Sequence, residues 1–129
     1  MSPVTVTLHR RDPAAAVVGL LGEHDAHTAA RLENELAVLI ADHVRVVVDL
    51  TGASFVDSHT LSVLLSARHS AEAAGLGYVV VLPADAYTQV HRILEMTGLD
   101  AAFAIVPTVD GALGRARSGE NAGERLRVA

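Results

Sequence analysis

The 129-residue chain has no cysteine and no tryptophan, and only two phenylalanines and two tyrosines. Without cysteine there is no disulfide framework and no thiolate zinc site. So few aromatics leave no platform on which nucleic acid bases could stack. Basic residues are also scarce: ten Lys and Arg against fifteen Asp and Glu give a formal net charge of −5, which disfavours a nucleic-acid surface. No apolar run approaches the roughly 20 residues of a membrane span, and the first residues do not read as a signal peptide. These absences predict a cytoplasmic protein with no membrane and no direct nucleic-acid partner. Half of the residues are nonetheless apolar. The core is therefore aliphatic, and a chain of this length buries roughly two-thirds of its unfolded surface as a single domain.

The chain is organised around residues 44–65, VRVVVDLTGASFVDSHTLSVLL. Val44, Val46, Val47, Val48 and Leu50 form a β-branched run with no polar alternation, the pattern of a strand covered on both faces. Asp49 and Thr51-Gly52 break it, and Phe55-Val56 forms a second short apolar pair. Asp57 and Ser58 follow, both good helix N-cap residues, and then Leu61, Leu64 and Leu65 at helical spacing. These three leucines should include the residues that bury the helix. The stretch reads strand, loop, cap, helix. It presents a serine hydroxyl at a helix N-terminus, where backbone N–H groups and the macrodipole favour an anion.

Around this centre the chain alternates strand and helix. Val4, Val6 and Leu8 alternate with Thr5 and Thr7 as a half-buried strand. Ala15 to Leu21 is a second strand, close enough to pair antiparallel with the first at a sheet edge. Gly22 to Thr28 is a polar loop leading into a helix carrying Leu32, Leu36, Leu39 and Ile40 on one face. Within that loop His24, Asp25 and His27 suggest a metal site, but no HExxH-like pattern and no distant ligand pair accompanies them. A solvated loop with a capping carboxylate is the preferred reading, and no cofactor is expected. After the central helix, Gly75 and Gly77 act as a stop. Tyr78 to Leu82 is a buried strand, Ala84 to Thr97 a helix, Ala102 to Val106 a strand, and Thr108 onward a last helix. Helices should begin near Thr28, Ser58, Ala86 and Thr108. Residues 1–118 form the domain, and Gly119 to Ala129 reads as a mobile polar tail. The order β-β-α-β-α-β-α-β-α predicts an α/β domain with a mixed, mostly parallel central sheet of four or five strands and helices packed on it. The loops Gly22–Thr28 and Ala53–His59 fall at strand C-terminal ends, where function concentrates in such folds.

Three segments resemble the STAS-domain anti-sigma factor antagonists. Gly22-Glu23-His24-Asp25 is similar to that family's G-E-x-D loop. Val48-Asp49-Leu50 through Phe55-Val56-Asp57-Ser58 resembles its D-L to D-S segment, and Leu94-Glu95-Met96-Thr97-Gly98-Leu99 resembles its third motif. Together they are in register over residues 3–115. The resemblance implies a protein that binds an anti-sigma factor with serine kinase activity and so frees a sigma factor. By position it implies phosphorylation of Ser58 as the release step, with a phosphatase to reverse it. It also places Asp25 on the partner surface, and with it Glu23, Asp57, Ser58, His59, Thr60 and Ser62. His59 and Thr60 stand where the family commonly has Ser or Thr and then Gly, and Ser62 where a small residue is usual. That added bulk sets which partners fit.

Read without the resemblance, Ser58 is simply a helix cap, and a serine can be both cap and phosphoacceptor. His59 and Thr60 read as tolerated surface residues, with Thr60 a lesser second candidate for phosphorylation. A hydrolase triad fails because Asp57, Ser58 and His59 are consecutive, so their side chains diverge at a helix start, and no G-x-S-x-G elbow occurs. The chain is read as a binding protein and not an enzyme. The competing reading is a STAS-like accessory subunit of a transporter complex, which uses the same fold.

Overall fold

A computed structural model describes residues 3–123. A five-stranded sheet forms the centre, in the order β1 (Val4–His9), β2 (Ala15–Leu20), β4 (Arg45–Asp49), β6 (Tyr78–Val81) and β7 (Ala104–Val106). β1 and β2 pair antiparallel at one edge, as their short connection predicts, and every other pair is parallel. The valine runs alternate between two cores. Val46, Val48, Tyr78 and Val80 point into the larger one, beneath α1 (Ala26–Ala41), α2 (Ser58–Ala73) and α3 (Gln89–Thr97). Val47, Val79 and Val81 point into the smaller one, beneath α5 (Val109–Arg117). A strand buried on both faces needs no polar alternation, which is why these runs read as continuous.

Several local features differ from the expected outline. Part of the predicted loop 22–28 is a strand, β3 (Gly22–His24), which pairs parallel with β5 (Ala53–Val56) as a separate two-stranded ribbon. α3 begins at Gln89, three residues after the expected Ala86, because Thr88 starts the helix: its backbone N–H donates to the His91 ring at 3.1 Å. A single helical turn, α4 (Leu99–Ala102), precedes β7, so that strand starts at Ala104 and not at Ala102. Gly75 closes the α2 region in the left-handed conformation (φ +71°), the usual stop. Gly77 serves packing instead, since a Cβ there would collide with the Ala116 carbonyl at the end of α5.

The first five residues of the expected tail, 119–123, are hydrogen-bonded to the fold. Glu120 carbonyl accepts from the Tyr78 N–H at 2.7 Å, and the Gly123 N–H donates to Ala102 carbonyl at 3.1 Å. The nearly buried Arg68 of α2 donates to Asn121 carbonyl (3.0 Å) as well as to Glu72 (2.9 Å). Backbone groups of Glu120 and Gly123 thus bond to the start of β6 and the end of the turn before β7, while the Glu120 carboxylate accepts from Arg115 at 2.7 Å and the Asn121 amide donates to Leu76 carbonyl at 3.2 Å. Residues 124–129, the rest of the expected tail, lie outside the described residues. Among the described residues no helix is long and apolar enough to cross a membrane.

Candidate functional site

The ribbon of β3 and β5 brings the two predicted loops together. Glu23 lies opposite Phe55 and His24 opposite Val56, and the pairing continues past the strands, where the Asp57 N–H donates to His24 carbonyl at 3.1 Å. Each strand runs straight into a helix, so the N-termini of α1 and α2 lie side by side. Both are capped by aspartate. Asp25 Oδ1 accepts from the His27 N–H and Asp57 Oδ1 from the Thr60 N–H, each at 2.8 Å. These are side chains satisfying orphan helix donors.

Asp57, and not Ser58, is therefore the N-cap of α2. Ser58 is the first helical residue and is exposed, so its hydroxyl is relieved of the capping role. Its carbonyl accepts from the Ser62 hydroxyl at 3.1 Å, which ties the first turn together. Burial alone would push the Asp57 carboxyl up. The Thr60 hydrogen bonding and, secondarily, the neighbouring His59 outweigh it and hold the group below the ordinary carboxylate value. Asp57 is thus ionised at neutral pH, immediately before an exposed serine.

Two residues take positions the sequence did not suggest. Thr60, expected on the surface, is fully buried, because the first turn of α2 packs Thr60 and Leu61 inward together. A kinase cannot reach it in this fold. His24, expected in a solvated loop, is also fully buried. Its Nε2 donates to Leu21 carbonyl at 3.1 Å, which leaves Nδ1 of the neutral ring to accept from the Thr28 hydroxyl at 3.0 Å. Both ring nitrogens thus fasten the β3–α1 junction. Burial pulls His24 below its ordinary value, against the raising effect of its backbone hydrogen bond and of Asp25. Of the expected leucines, Leu61 and Leu64 are buried and Leu65 is partly so. The buried Tyr78 hydroxyl donates to Leu64 carbonyl at 2.8 Å and so holds α2 to the sheet.

Sequence reading missed Gln89. Its side-chain Oε1 accepts from the Val56 N–H and its Nε2 donates to Val56 carbonyl, both at 3.0 Å. The side-chain amide acts as a one-residue strand on the open edge of β5, just before Asp57 and Ser58. A glutamine at the start of a helix carries no periodic signal, so only the tertiary contact reveals it.

The exposed face formed here carries Glu23, Asp25, Ser58, His59 and Ser62, with Asp57 half-buried behind them. Phe55, 40% exposed, adds an apolar centre beside the acidic groups. An apolar side chain ringed by carboxylates and hydroxyls suits contact with a basic protein partner. The side chains of Asp57 and His24 are committed to local hydrogen bonds, so the arrangement offers no nucleophile with an adjacent base.

Comparison with known proteins gives the family. A family model of the STAS domain matches residues 6–112. An anti-sigma factor antagonist from Mycobacterium paratuberculosis is 32% identical, over 88% of this chain and 94% of that one, with a TM-score of 0.68. The Bacillus cell fate determinant SpoIIAA in its phosphorylated form is similar in fold at 21% identity (88% and 100% covered, TM-score 0.62). So is an anti-sigma-factor antagonist (STAS) domain protein from Planctomyces limnophilus at 15% (90% and 99%, TM-score 0.70). The chain belongs to the STAS domain family, with the fold of the anti-sigma factor antagonists.

Proposed function

We propose that this chain is an anti-sigma factor antagonist switched by phosphorylation. It binds an anti-sigma factor that is also a serine kinase, through the face built by residues 22–28 and 53–62, and phosphorylation of Ser58 releases it. A phosphatase resets the cycle. One observation carries the reading: Ser58 is exposed at the start of α2, with Asp57 taking over the cap that would otherwise occupy its hydroxyl. The likeness to an antagonist 32% identical over most of both chains supports the choice of partner.

The switch follows from charge. An unmodified hydroxyl is small and neutral, so an interface can close over it. A phosphate adds about −1.5 to −2 charges. It arrives beside Asp57, with Asp25 and Glu23 across the ribbon. The α2 N-terminus offers some compensation, but the Asp57 carboxylate already takes the Thr60 N–H there. Inside an interface the added charge must be desolvated or repelled. A 100-fold loss of affinity requires only about 2.7 kcal/mol, within reach of one misplaced charge. Thr60 acts from below, by fixing Asp57, while His59 and Ser62 contribute bulk at the rim that selects the partner. Incubation with the host's anti-sigma kinases and ATP, followed by mass spectrometry, tests the reading. One phosphate on Ser58 is expected. Stable binding without modification of Ser58 would exclude the switch.

A further inference from the structure

Of the seven histidines only His24 is buried, and the switch at Ser58 makes no use of its ring. Leu21 carbonyl can only accept, so Nε2 carries a hydrogen in every state of the ring. Nδ1 faces a group that can either donate or accept, the Thr28 hydroxyl at 3.0 Å. That hydroxyl has a second neighbour, the Asp25 carbonyl at 3.2 Å. With one hydrogen it can donate to only one of the two.

Two arrangements follow. In the neutral ring Nδ1 is bare and takes the Thr28 hydroxyl hydrogen. The Asp25 carbonyl is then left to the N–H groups of Thr28 (3.2 Å) and Ala29 (3.0 Å), which close the first turn of α1. In the charged ring Nδ1 carries a hydrogen of its own and donates to Thr28 Oγ1. The hydroxyl must now turn its hydrogen to the Asp25 carbonyl. A carbonyl has two lone pairs, so this third donor competes with the two N–H groups. A proton taken up in the interior is thereby passed to the first turn of α1, which carries Asp25 and His27 on the surface.

We propose that His24 and Thr28 form a proton-operated switch: a proton on Nδ1 re-aims the Thr28 hydroxyl, loosens the first turn of α1 and so weakens binding at the partner face. The last step rests on the proposed function; the first two do not. Charged groups surround the ring on Glu23 of β3, on Asp25, His27 and Arg31 at the start of α1, and on Asp57 and His59 at the start of α2. β5 sets Val56 opposite, and Leu21 and Pro3 present backbone carbonyls. Only the Asp25 charge acts on the ring, favouring the charged form, and burial opposes it more strongly. The switch therefore works in mild acid, below the ordinary histidine value of about 6.5, and the neutral arrangement holds at neutral pH.

Nuclear magnetic resonance of the free chain tests the first two steps. Ring nitrogen shifts should show the Nε2–H tautomer at neutral pH and a titration midpoint below about 6.5. Across that titration the exchange protection of the Thr28 and Ala29 amides, corrected for the intrinsic pH dependence, should fall about threefold or more, the effect of one weakened hydrogen bond. Thr28→Val keeps the volume but removes the hydroxyl, so its protection should stay flat; Thr28→Ser should restore the fall. An Nδ1–H tautomer, flat protection in the wild-type chain, or an unchanged fall in Thr28→Val each overturns the proposal. For the last step, affinity for the anti-sigma partner should drop about threefold more in wild type than in Thr28→Val between about pH 7.5 and 5.5, one unit either side of the ordinary value. Charges elsewhere on the face are the same in both proteins and cancel. Identical pH profiles overturn the coupling to binding. Absence of binding at every pH, with the exchange result as expected, refutes the proposed function and leaves the switch standing.

Discussion

Replacing Gln89 by alanine removes both hydrogen bonds that its amide makes to Val56, at 3.0 Å each. Val56 is fully buried, so no water reaches the freed N–H and C=O without local opening. A hydrogen bond contributes about 0.5–1.5 kcal/mol net, and a stranded buried group costs about 1–3 kcal/mol. For two bonds with partial relaxation the loss is about 2–3 kcal/mol. In a domain of this size that lowers the melting temperature by on the order of 10 °C. Gln89→Glu is the sharper variant. It keeps an acceptor for the Val56 N–H but points a carboxylate oxygen at the Val56 carbonyl, so it should be no more stable than the alanine variant at neutral pH and should recover as the carboxyl protonates. Urea unfolding monitored by circular dichroism measures both. Because β5 leads directly to Ser58, both variants should also weaken partner binding more than their stability loss alone explains. If Gln89→Ala melts within about 1 °C of wild type, the amide is not clamping β5 and the reasoning fails.

Three further outcomes follow from the site. Asp57→Ala should cost about 0.5–2 kcal/mol as a lost cap, while Ser58→Ala should be nearly neutral in denaturant unfolding, because the cap belongs to Asp57; a larger loss for Ser58→Ala would reverse that assignment. Stability should fall as pH drops below about 6.5 toward the lowered value of folded His24, since in that window the unfolded chain binds a proton that the buried ring resists; His24→Gln should flatten this slope, and an unchanged slope would contradict the role given to the ring. Leu64→Ala should cost about 2–5 kcal/mol and Leu65→Ala clearly less, because only Leu64 is fully buried; equal melting temperatures would mean that the facing of α2 is wrong.

The parts of the fold legible in sequence were those with periodic or punctuated signals. The valine runs of β4 and β6, the leucines of α1 and α2, and the close spacing of β1 and β2 all led to elements found in place. What escaped depends on long-range contact. Gly22–His24 is too short and polar to read as a strand and becomes one only against Ala53–Val56. Residues 119–123 look like a solvated tail because backbone bonds and the contacts of Glu120 to Arg115 and Asn121 to Leu76, none of which composition records, hold them to the fold. The site was half legible. The D-S step identified the helix start, but which of two good caps does the capping depends on which side chain reaches the Thr60 N–H. Thr60 and His24 looked like surface residues because their types are usually polar and exposed, and only the packing of the two helix starts shows them buried.

The central claim is that Ser58 is the switch, and quantitative phosphorylation with matched binding tests it most directly. Wild-type protein, Ser58→Ala and Ser58→Asp would each be titrated against the host's anti-sigma kinase, before and after incubation with ATP, with the phosphosite mapped by mass spectrometry. The account predicts one phosphate on Ser58 and a loss of wild-type affinity of about 100-fold or more. It predicts full, ATP-insensitive binding by Ser58→Ala and an intermediate loss for Ser58→Asp, which adds one charge where phosphate adds nearly two. Modification at another residue, with Ser58→Ala still phosphorylated and still released, would contradict it.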